Sequence, residues 1–178
     1  INYLWPVFVV IFSILILKEK ASFKTFLAIL LSFIGALIVF SRGDLASLQN
    51  DAHGYLLAFG AAVSYGLFSV LGKKLRYEKF TSMLVFYVSS LILITPTVFL
   101  FSKFALPQSL TTILALIFLG GVANSLGFVF WFKALEKGRT HKIANLAYLT
   151  PFLATAWVYF LNNEVIPLIS FFGLILIV

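Results

Sequence analysis

The sequence predicts an all-α membrane protein, a bundle of apolar helices that cross a bilayer several times. Two observations lead to this fold class. Apolar residues make up 62% of the chain and charged residues only 11%, whereas a water-soluble domain needs a more polar surface. The apolar residues also come in stretches of about 20, the length that spans a bilayer as a helix.

Seven such stretches follow one another, separated by loops too short to hold a soluble domain. They lie at residues 1–17, 24–41, 54–72, 82–101, 111–132, 143–161 and 165–178. Both termini fall inside apolar runs, and no signal-peptide pattern precedes the first one. We therefore expect these residues to be an internal part of a longer membrane protein.

The basic residues predict the orientation of the spans. All but two of the 13 lysines and arginines lie in or beside the first, third and fifth loops, and the two exceptions are Arg42 and Lys103. Cytoplasmic loops carry such an excess, so these three loops are predicted to face the cytoplasm. The same rule accounts for the net charge of +7, and we expect no nucleic-acid partner.

Several chemistries lack support in the sequence. The chain has no cysteine, which excludes disulfides and thiol chemistry within it. No acid or base lies in the middle of a span, and we find no catalytic, phosphate-binding or metal-binding motif. We therefore predict that the protein is not an enzyme and holds no cofactor or metal.

A repeated pattern relates the first span to the sixth. Both copies read Tyr-Leu-x-Pro, an apolar run and then Glu, at Tyr3–Pro6 with Glu19 and at Tyr148–Pro151 with Glu164. Five membrane crossings separate the copies, and an odd number inverts the second relative to the first. Inverted copies are typical of transporters whose two halves rock about a site near the middle of the membrane.

Four stretches carry a resemblance to a known family: Asn2-Tyr3-Leu4-Trp5-Pro6 on to Gly35, Gly54-Tyr55-Leu56 on to Leu75, Gly120-Gly121 on to Leu135, and Gly138-Arg139-Thr140 on to Gly173. They resemble the drug/metabolite transporter superfamily, in the branch built from two five-helix EamA domains. The resemblance implies inverted five-helix repeats, with 1–41 ending the first and 54–178 forming the second. The seven spans then match helices four to ten of ten, and three more are expected upstream. One departure is that Lys18 and Asn163 stand where the family often has Gly before its Glu.

The resemblance also implies a function and a location. We expect a secondary transporter of the bacterial inner membrane that exports small metabolites by alternating access, and Asn2–Pro6 is similar to the amino-acid exporters. Two alternatives stay open, namely efflux of hydrophobic drugs or cations and a membrane scaffold that transports nothing. The expected partners are a small-molecule substrate, the lipid bilayer and the missing N-terminal helices, while the oligomeric state is not predicted.

Aromatic and amide side chains within the spans are the candidates for binding a substrate. Spacings of four and three place Asn124, Phe128 and Trp131 on one stripe of a helix. The full candidate set is Tyr3, Trp5, Tyr65, Asn124, Phe128, Trp131, Asn145 and Tyr148. An amide in hydrocarbon needs a hydrogen-bond partner, so joining helices is the alternative role for each amide. A tryptophan near a span end has an alternative role at the membrane interface.

Two prolines and two glutamates complete the candidates. Pro6 and Pro151 each remove a backbone hydrogen bond, and Pro151 is expected to free the carbonyl of Ala147, so both are predicted to be hinges or kinks. Glu19 and Glu164 lie at helix ends, where a carboxylate stabilises the start of the next helix through its dipole. We expect a structural role for both glutamates.

Overall fold

The structure, a computed structural model, describes residues 2–41, 52–75, 77–102, 105–162, 172–173 and 175–176. Every element of regular structure in these residues is a helix, which confirms the predicted all-α class. Glu164 and most of the seventh predicted span lie outside the described residues.

The observed helices follow the predicted spans within a few residues. They are α1 (Trp5–Leu17), α2 (Phe23–Ser41), α3 (Ala52–Lys74), α4 (Lys79–Phe101), α5 (Leu110–Ile117), α6 (Ser125–Lys137), α7 (Thr140–Leu146) and α8 (Leu149–Asn162). A short 3₁₀ turn, Asn2–Leu4, precedes α1. A π-helical segment, Phe118–Asn124, joins α5 to α6. Among the described residues, α3, α4 and the joined helix Leu110–Lys137 are long and apolar enough to cross a membrane.

Side chains before three helices cap their first turns. At the start of α4 the Glu78 carboxylate accepts two backbone N–H groups, those of Phe80 at 3.0 Å and Thr81 at 2.5 Å. Ser109 Oγ accepts the N–H of Thr112 at 3.1 Å, and Ser22 Oγ accepts that of Thr25 at 3.3 Å. Such caps satisfy backbone donors that have no partner inside the helix.

The sixth predicted span is broken where the sequence indicated one continuous helix. Ala147 and Tyr148 form a turn between α7 and α8, and their N–H groups bond back to the carbonyls of Ala144 and Asn145. The carbonyl of Ala147 accepts the N–H of Thr150 at 3.1 Å. The expectation that Pro151 leaves this carbonyl free is therefore wrong, because the turn supplies a nearer donor.

The chain forms two compact units, one of residues Ile1–Lys74 with Gly138–Val178 and the other of Leu75–Lys137. In the first unit α1 and α3 run parallel, since Gly66 lies against Phe8 and Lys73 contacts Glu19. Fully buried residues of this unit include Pro6, Val9, Val10, Ala62, Val70, Ala144 and Tyr148, together with the polar Ser13, Ser32, Ser69 and Thr140.

The second unit is built on an antiparallel pair of helices. Lys79 at the start of α4 contacts Glu136 near the end of α6, and Tyr87 further along α4 contacts Phe128 further back on α6. Phe132 is fully buried in this unit. The helix of the fifth predicted span continues to Lys137, beyond the end of its apolar run.

Candidate functional site

Aromatic rings line the contact between α1 and α3 in the first unit. The rings of Trp5 and Tyr65 meet edge to face with centroids 4.8 Å apart, and those of Phe8 and Phe59 meet in the same way at 5.4 Å. Tyr65 also contacts Phe68 at 6.3 Å. Edge-to-face pairs are a favourable aromatic geometry. Two of the candidate binding residues, Trp5 and Tyr65, are thus brought into direct contact.

A glycine allows this close approach. A Cβ atom at Gly66 would lie 2.6 Å from Phe8 Cβ and 3.0 Å from the backbone nitrogen of Val9. Small residues permit such near contact between membrane helices. The sequence reading did not single out Gly66, because its role depends on where α1 crosses α3.

Tyr148 occupies the break between α7 and α8. Its side chain is fully buried, and its phenolic oxygen has no hydrogen-bond partner among the described residues. An unsatisfied buried polar group costs about 1–3 kcal/mol. A ligand, or a second conformation of the protein, would account for this group by supplying its missing hydrogen-bond partner.

Asn145, one turn earlier on α7, already has a partner. Its Oδ1 atom accepts the hydroxyl of Ser32 on α2 at 2.7 Å. Both side chains lie in the first unit, and Ser32 is buried. This contact favours the alternative in which Asn145 joins two helices.

Three further candidates belong to the second unit. Phe128 is half-buried on α6, and its ring meets that of Tyr87 at 6.3 Å. Asn124, the last residue of the π-helical segment, is exposed, and Trp131 is half-buried. The remaining candidate, Tyr3, is half-buried in the 3₁₀ turn before α1.

A groove of about 480 Å³ runs along the second unit. On the α6 side it is bordered by Gly121, Ser125 and Val129, a different stripe from that of Asn124 and Phe128. The hydroxyl of Ser125 donates to the carbonyl of Gly120 at 3.3 Å across the π-helical segment. Such segments occur frequently at functional sites, and the adjacent glycines were the one sequence signal for this irregularity.

The Glu19 carboxylate lies at the centre of a polar cluster at the end of α1. We call Glu19, Lys73, Gly138 and Thr140 the Glu19 cluster. Lys73 Nζ donates to Glu19 Oε1 at 2.7 Å, and Thr140 donates to the same carboxylate through its hydroxyl at 2.7 Å and its N–H at 3.2 Å. Burial raises the pKa of Glu19, but the hydrogen bonds from Lys73 and Thr140 outweigh it and hold the pKa below its usual value.

The helix that Glu19 stabilises is α7, whose first N–H it accepts, and not α2, which follows it in the chain. Ser22 already caps α2. The chain turns at Lys18, whose backbone adopts a left-handed conformation with φ of 55°. This turn allows the Glu19 side chain to reach the start of α7. Lys18 is the position where the family often has glycine. Next to the cluster, burial lowers the pKa of His141, whose Nδ1 atom has no partner among the described residues.

A second ion pair lies in the other unit. Lys79 Nζ contacts Glu136 at 2.9 Å and sits 4.0 Å from the centre of the Tyr77 ring. The centre of the Phe132 ring lies 5.9 Å from the same ammonium group. Aromatic faces attract a cation that has lost part of its water, so these contacts stabilise the Lys79 side chain, of which only 9% is exposed.

The two prolines lie in first turns of helices. Pro6 is the second residue of α1 and is buried, and Pro151 is the third residue of α8. A proline in a first turn costs the helix no internal hydrogen bond. Whether either position acts as a hinge stays a prediction.

The fold and these sites define an integral, multi-pass helical membrane protein. The chain belongs to the EamA-like transporter family, whose model matches residues 1–41 and 52–178. The predicted family resemblance is thereby confirmed. The members of this family are described as transporters and not as enzymes, and the bacterial relatives indicate the inner membrane.

Curated relatives give the same result. The chain is 30% identical over 175 residues to a "Probable amino-acid metabolite efflux pump" of Salmonella typhimurium, covering 91% of this chain and 58% of that protein. It is 27% identical over 173 residues to one of the same name from Escherichia coli, covering 89% and 56%. An "Uncharacterized transporter" of Archaeoglobus fulgidus is 25% identical over 154 residues, covering 84% and 53%. The chain thus spans a little over half the length of these relatives, and no solved structure matches it.

Proposed function

We propose that the intact protein exports small metabolites, amino acids among them, across the inner membrane by alternating access. The observation that carries this proposal is the similarity to two bacterial proteins named as probable amino-acid metabolite efflux pumps, at 27 and 30% identity. Because the chain spans little more than half of each, the activity is proposed for the whole protein.

The proposed mechanism uses two inverted repeats, with residues 1–41 in the first and 54–178 in the second. The repeated Tyr-Leu-x-Pro pattern supports this organisation. The broken sixth span adds further support, since discontinuous helices commonly form the substrate sites of transporters with inverted repeats. The break at Ala147 and Tyr148 lies at the start of the second copy, three residues before Pro151.

We propose that the substrate contacts aromatic and amide residues of the first unit that the sequence identifies, namely Tyr3, Trp5, Tyr65, Asn145 and Tyr148. The candidates Asn124, Phe128 and Trp131 belong to the second unit and stay predictions from the sequence. Tyr148 ranks first because its buried hydroxyl lacks a partner among the described residues. The paired rings of Trp5 and Tyr65 offer planar apolar surface to a solute with an apolar side chain. Asn145 ranks last, because Ser32 already occupies its oxygen.

Uptake into inverted vesicles that contain the intact protein tests the proposal. Radiolabelled amino acids are added outside, and Tyr148→Phe is compared with the wild type. If the hydroxyl forms a hydrogen bond to the substrate, Tyr148→Phe is expected to raise KM by about 2- to 12-fold. This range corresponds to the loss of one hydrogen bond of about 0.5–1.5 kcal/mol. The same variant is expected to unfold at the same or a higher temperature, since it removes an unsatisfied buried group.

Tyr159→Phe is the matched control, because Tyr159 lies on α8 and is exposed. An unchanged KM in Tyr148→Phe would refute the role of this hydroxyl. If no amino acid is taken up while a hydrophobic cation is, the drug-efflux alternative replaces the proposal. If no solute of any class is transported, a scaffold role is the remaining interpretation.

A further inference from the structure

The Glu19 cluster joins three separate segments of the first unit. Glu19 follows α1, Lys73 ends α3, and Gly138 and Thr140 begin α7. Lys73 Nζ makes three hydrogen bonds, to Glu19 Oε1 at 2.7 Å, to the Gly138 carbonyl at 2.9 Å and to Thr140 Oγ1 at 2.9 Å. An ammonium group has three N–H donors, so these three hydrogen bonds engage all of them.

The other end of α7 is held in a different way. Asn145 Oδ1 accepts the hydroxyl of Ser32 on α2, and Asn145 lies two residues before the break at Ala147 and Tyr148. The seven-residue helix α7 is thus fixed at its start by charged groups and near its end by one neutral hydrogen bond. The turn at Ala147 and Tyr148 is the point where the direction of α7 can change once the contacts at its start are released.

We propose that α7 is the inner gate of the transporter and that the Glu19 cluster is the latch that holds it closed. This inference rests on the proposed alternating-access export. In that mechanism the contacts between the two repeats on one side of the membrane break when that side opens. Glu19 belongs to the proposed first repeat, and Lys73 and Thr140 belong to the second.

The position of the cluster fits a gate on the cytoplasmic side. It lies among the first, third and fifth loops, which carry nearly all of the basic residues and are predicted to face the cytoplasm. Thr140 at the start of α7 and Ala144 in its middle are both fully buried. With the latch closed, α7 therefore packs against its neighbours along its length, and Tyr148 behind it is sealed.

The ion pair of Glu19 and Lys73 is partly exposed, as expected of a contact that opens repeatedly. The Lys73 side chain is 18% exposed and that of Glu19 is 22% exposed. Water already reaches both groups, and it can hydrate them again when they separate. A fully buried ion pair would leave uncompensated charges and would open rarely. The contact of α1 with α3 at Gly66 does not involve α7, so it can persist when the start of α7 moves.

Cysteine labelling in the intact protein tests the gate without any knowledge of the substrate. The chain has no cysteine of its own, and Ala144→Cys is the reporter in a background from which other cysteines are removed. A membrane-impermeant maleimide is applied to inverted vesicles, which expose the cytoplasmic face. Glu19→Gln is expected to raise the labelling rate about tenfold, the change produced when a minor open state rises from about 1% to 10%.

The controls separate opening of a gate from general loosening of the fold. Glu136→Gln removes the carboxylate of the ion pair with Lys79 in the other unit and is expected to leave labelling unchanged. Labelling of right-side-out vesicles is expected not to rise in Glu19→Gln, because an inner gate opens to the cytoplasm only. Equal labelling of wild type and Glu19→Gln, or a rise from both faces, overturns the proposal.

A second measurement keeps the proposal testable if Glu19→Gln fails to fold. Cysteines at the exposed positions 20 and 139, introduced as Lys20→Cys and Arg139→Cys beside the latch, are joined with a bifunctional thiol reagent while Glu19, Lys73 and Thr140 are kept. Cross-linking is expected to abolish labelling of Ala144→Cys from the cytoplasmic side, and cleavage of the cross-link to restore it. Labelling that persists at the full rate in the cross-linked protein refutes the gate. A failure to find amino-acid uptake would refute the proposed function alone.

Discussion

Replacing Gly66 by alanine tests how closely α1 and α3 must pack. The added Cβ would lie 2.6 Å from Phe8 Cβ, 3.0 Å from Phe8 C and 3.0 Å from Val9 N. Unstrained carbon atoms lie about 3.5–4.0 Å apart, so the helices must separate locally by roughly 1 Å. None of these three atoms is the end of a flexible side chain, and a change of rotamer therefore gives no relief.

The size of the effect follows from two opposing contributions. Overpacking of this kind costs about 1–3 kcal/mol. Alanine also favours the helical conformation over glycine by about 1 kcal/mol. Gly60 on the same helix provides the control, because a Cβ there meets no atom within 4 Å. Both variants gain the same helix propensity, so the difference between their free energies of unfolding isolates the clash at about 1–3 kcal/mol.

Denaturant titration of the intact protein in mixed micelles measures this difference. We expect Gly60→Ala to be at least as stable as the wild type and Gly66→Ala to be less stable than Gly60→Ala. Gly66→Val is expected to lose more, since it adds further atoms to the same contact. If Gly66→Ala and Gly60→Ala agree within about 0.5 kcal/mol, the usual spread for independent sites, the close approach of α1 and α3 is refuted.

Three further predictions concern the ends of α1 and α7. Lys18→Gly is expected to stabilise the protein by about 1 kcal/mol, because glycine adopts a left-handed backbone without the cost that lysine bears, while the exposed control Lys20→Gly gives no gain in the same titration. A double-mutant cycle of Ser32→Ala and Asn145→Ala is expected to show a coupling of about 0.6 kcal/mol, and additive effects would refute the hydrogen bond. The depressed pKa of Glu19 stabilises the folded state above the unfolded value of about 4.3 and ceases to do so as pH falls through the lower folded value. The stability difference between wild type and Glu19→Gln is thus expected to be constant from pH 8 to 5 and to shrink only below about pH 4; a loss of this difference near neutral pH would contradict it.

The spans were predictable from the sequence because hydropathy determines them directly. A stretch that must bury its backbone in lipid needs about 20 apolar residues in a helix, and the observed α2 and α4 begin and end within three residues of the predicted bounds. The predicted end of the fifth span, at residue 132, is too early. Its helix continues through Lys133 to Lys137, since backbone hydrogen bonding continues after the lipid-facing residues stop.

The contacts at the ends of the spans were less predictable. The sequence indicated that Glu19 has a structural role at a helix end, but its partner Thr140 lies 121 residues away and only the fold brings the two together. Gly66 is likewise one of 11 glycines in the sequence, and its role in close packing follows only from the crossing of α1 and α3. The sequence does not reveal the break at Ala147 and Tyr148, because the residues that flank it, Leu146 and Leu149, are both apolar.

The division of the first unit into two separate stretches of sequence determines when its parts can meet during synthesis. Glu19 and Lys73 are 54 residues apart, and translation at 5–20 residues per second separates their appearance by roughly 3–11 s. Thr140, 121 residues after Glu19, appears roughly 6–24 s after it. The ion pair can therefore form while the second unit is still being made. Lys73 then neutralises the Glu19 carboxylate at the membrane surface until α7 is synthesised and Thr140 adds its hydrogen bonds.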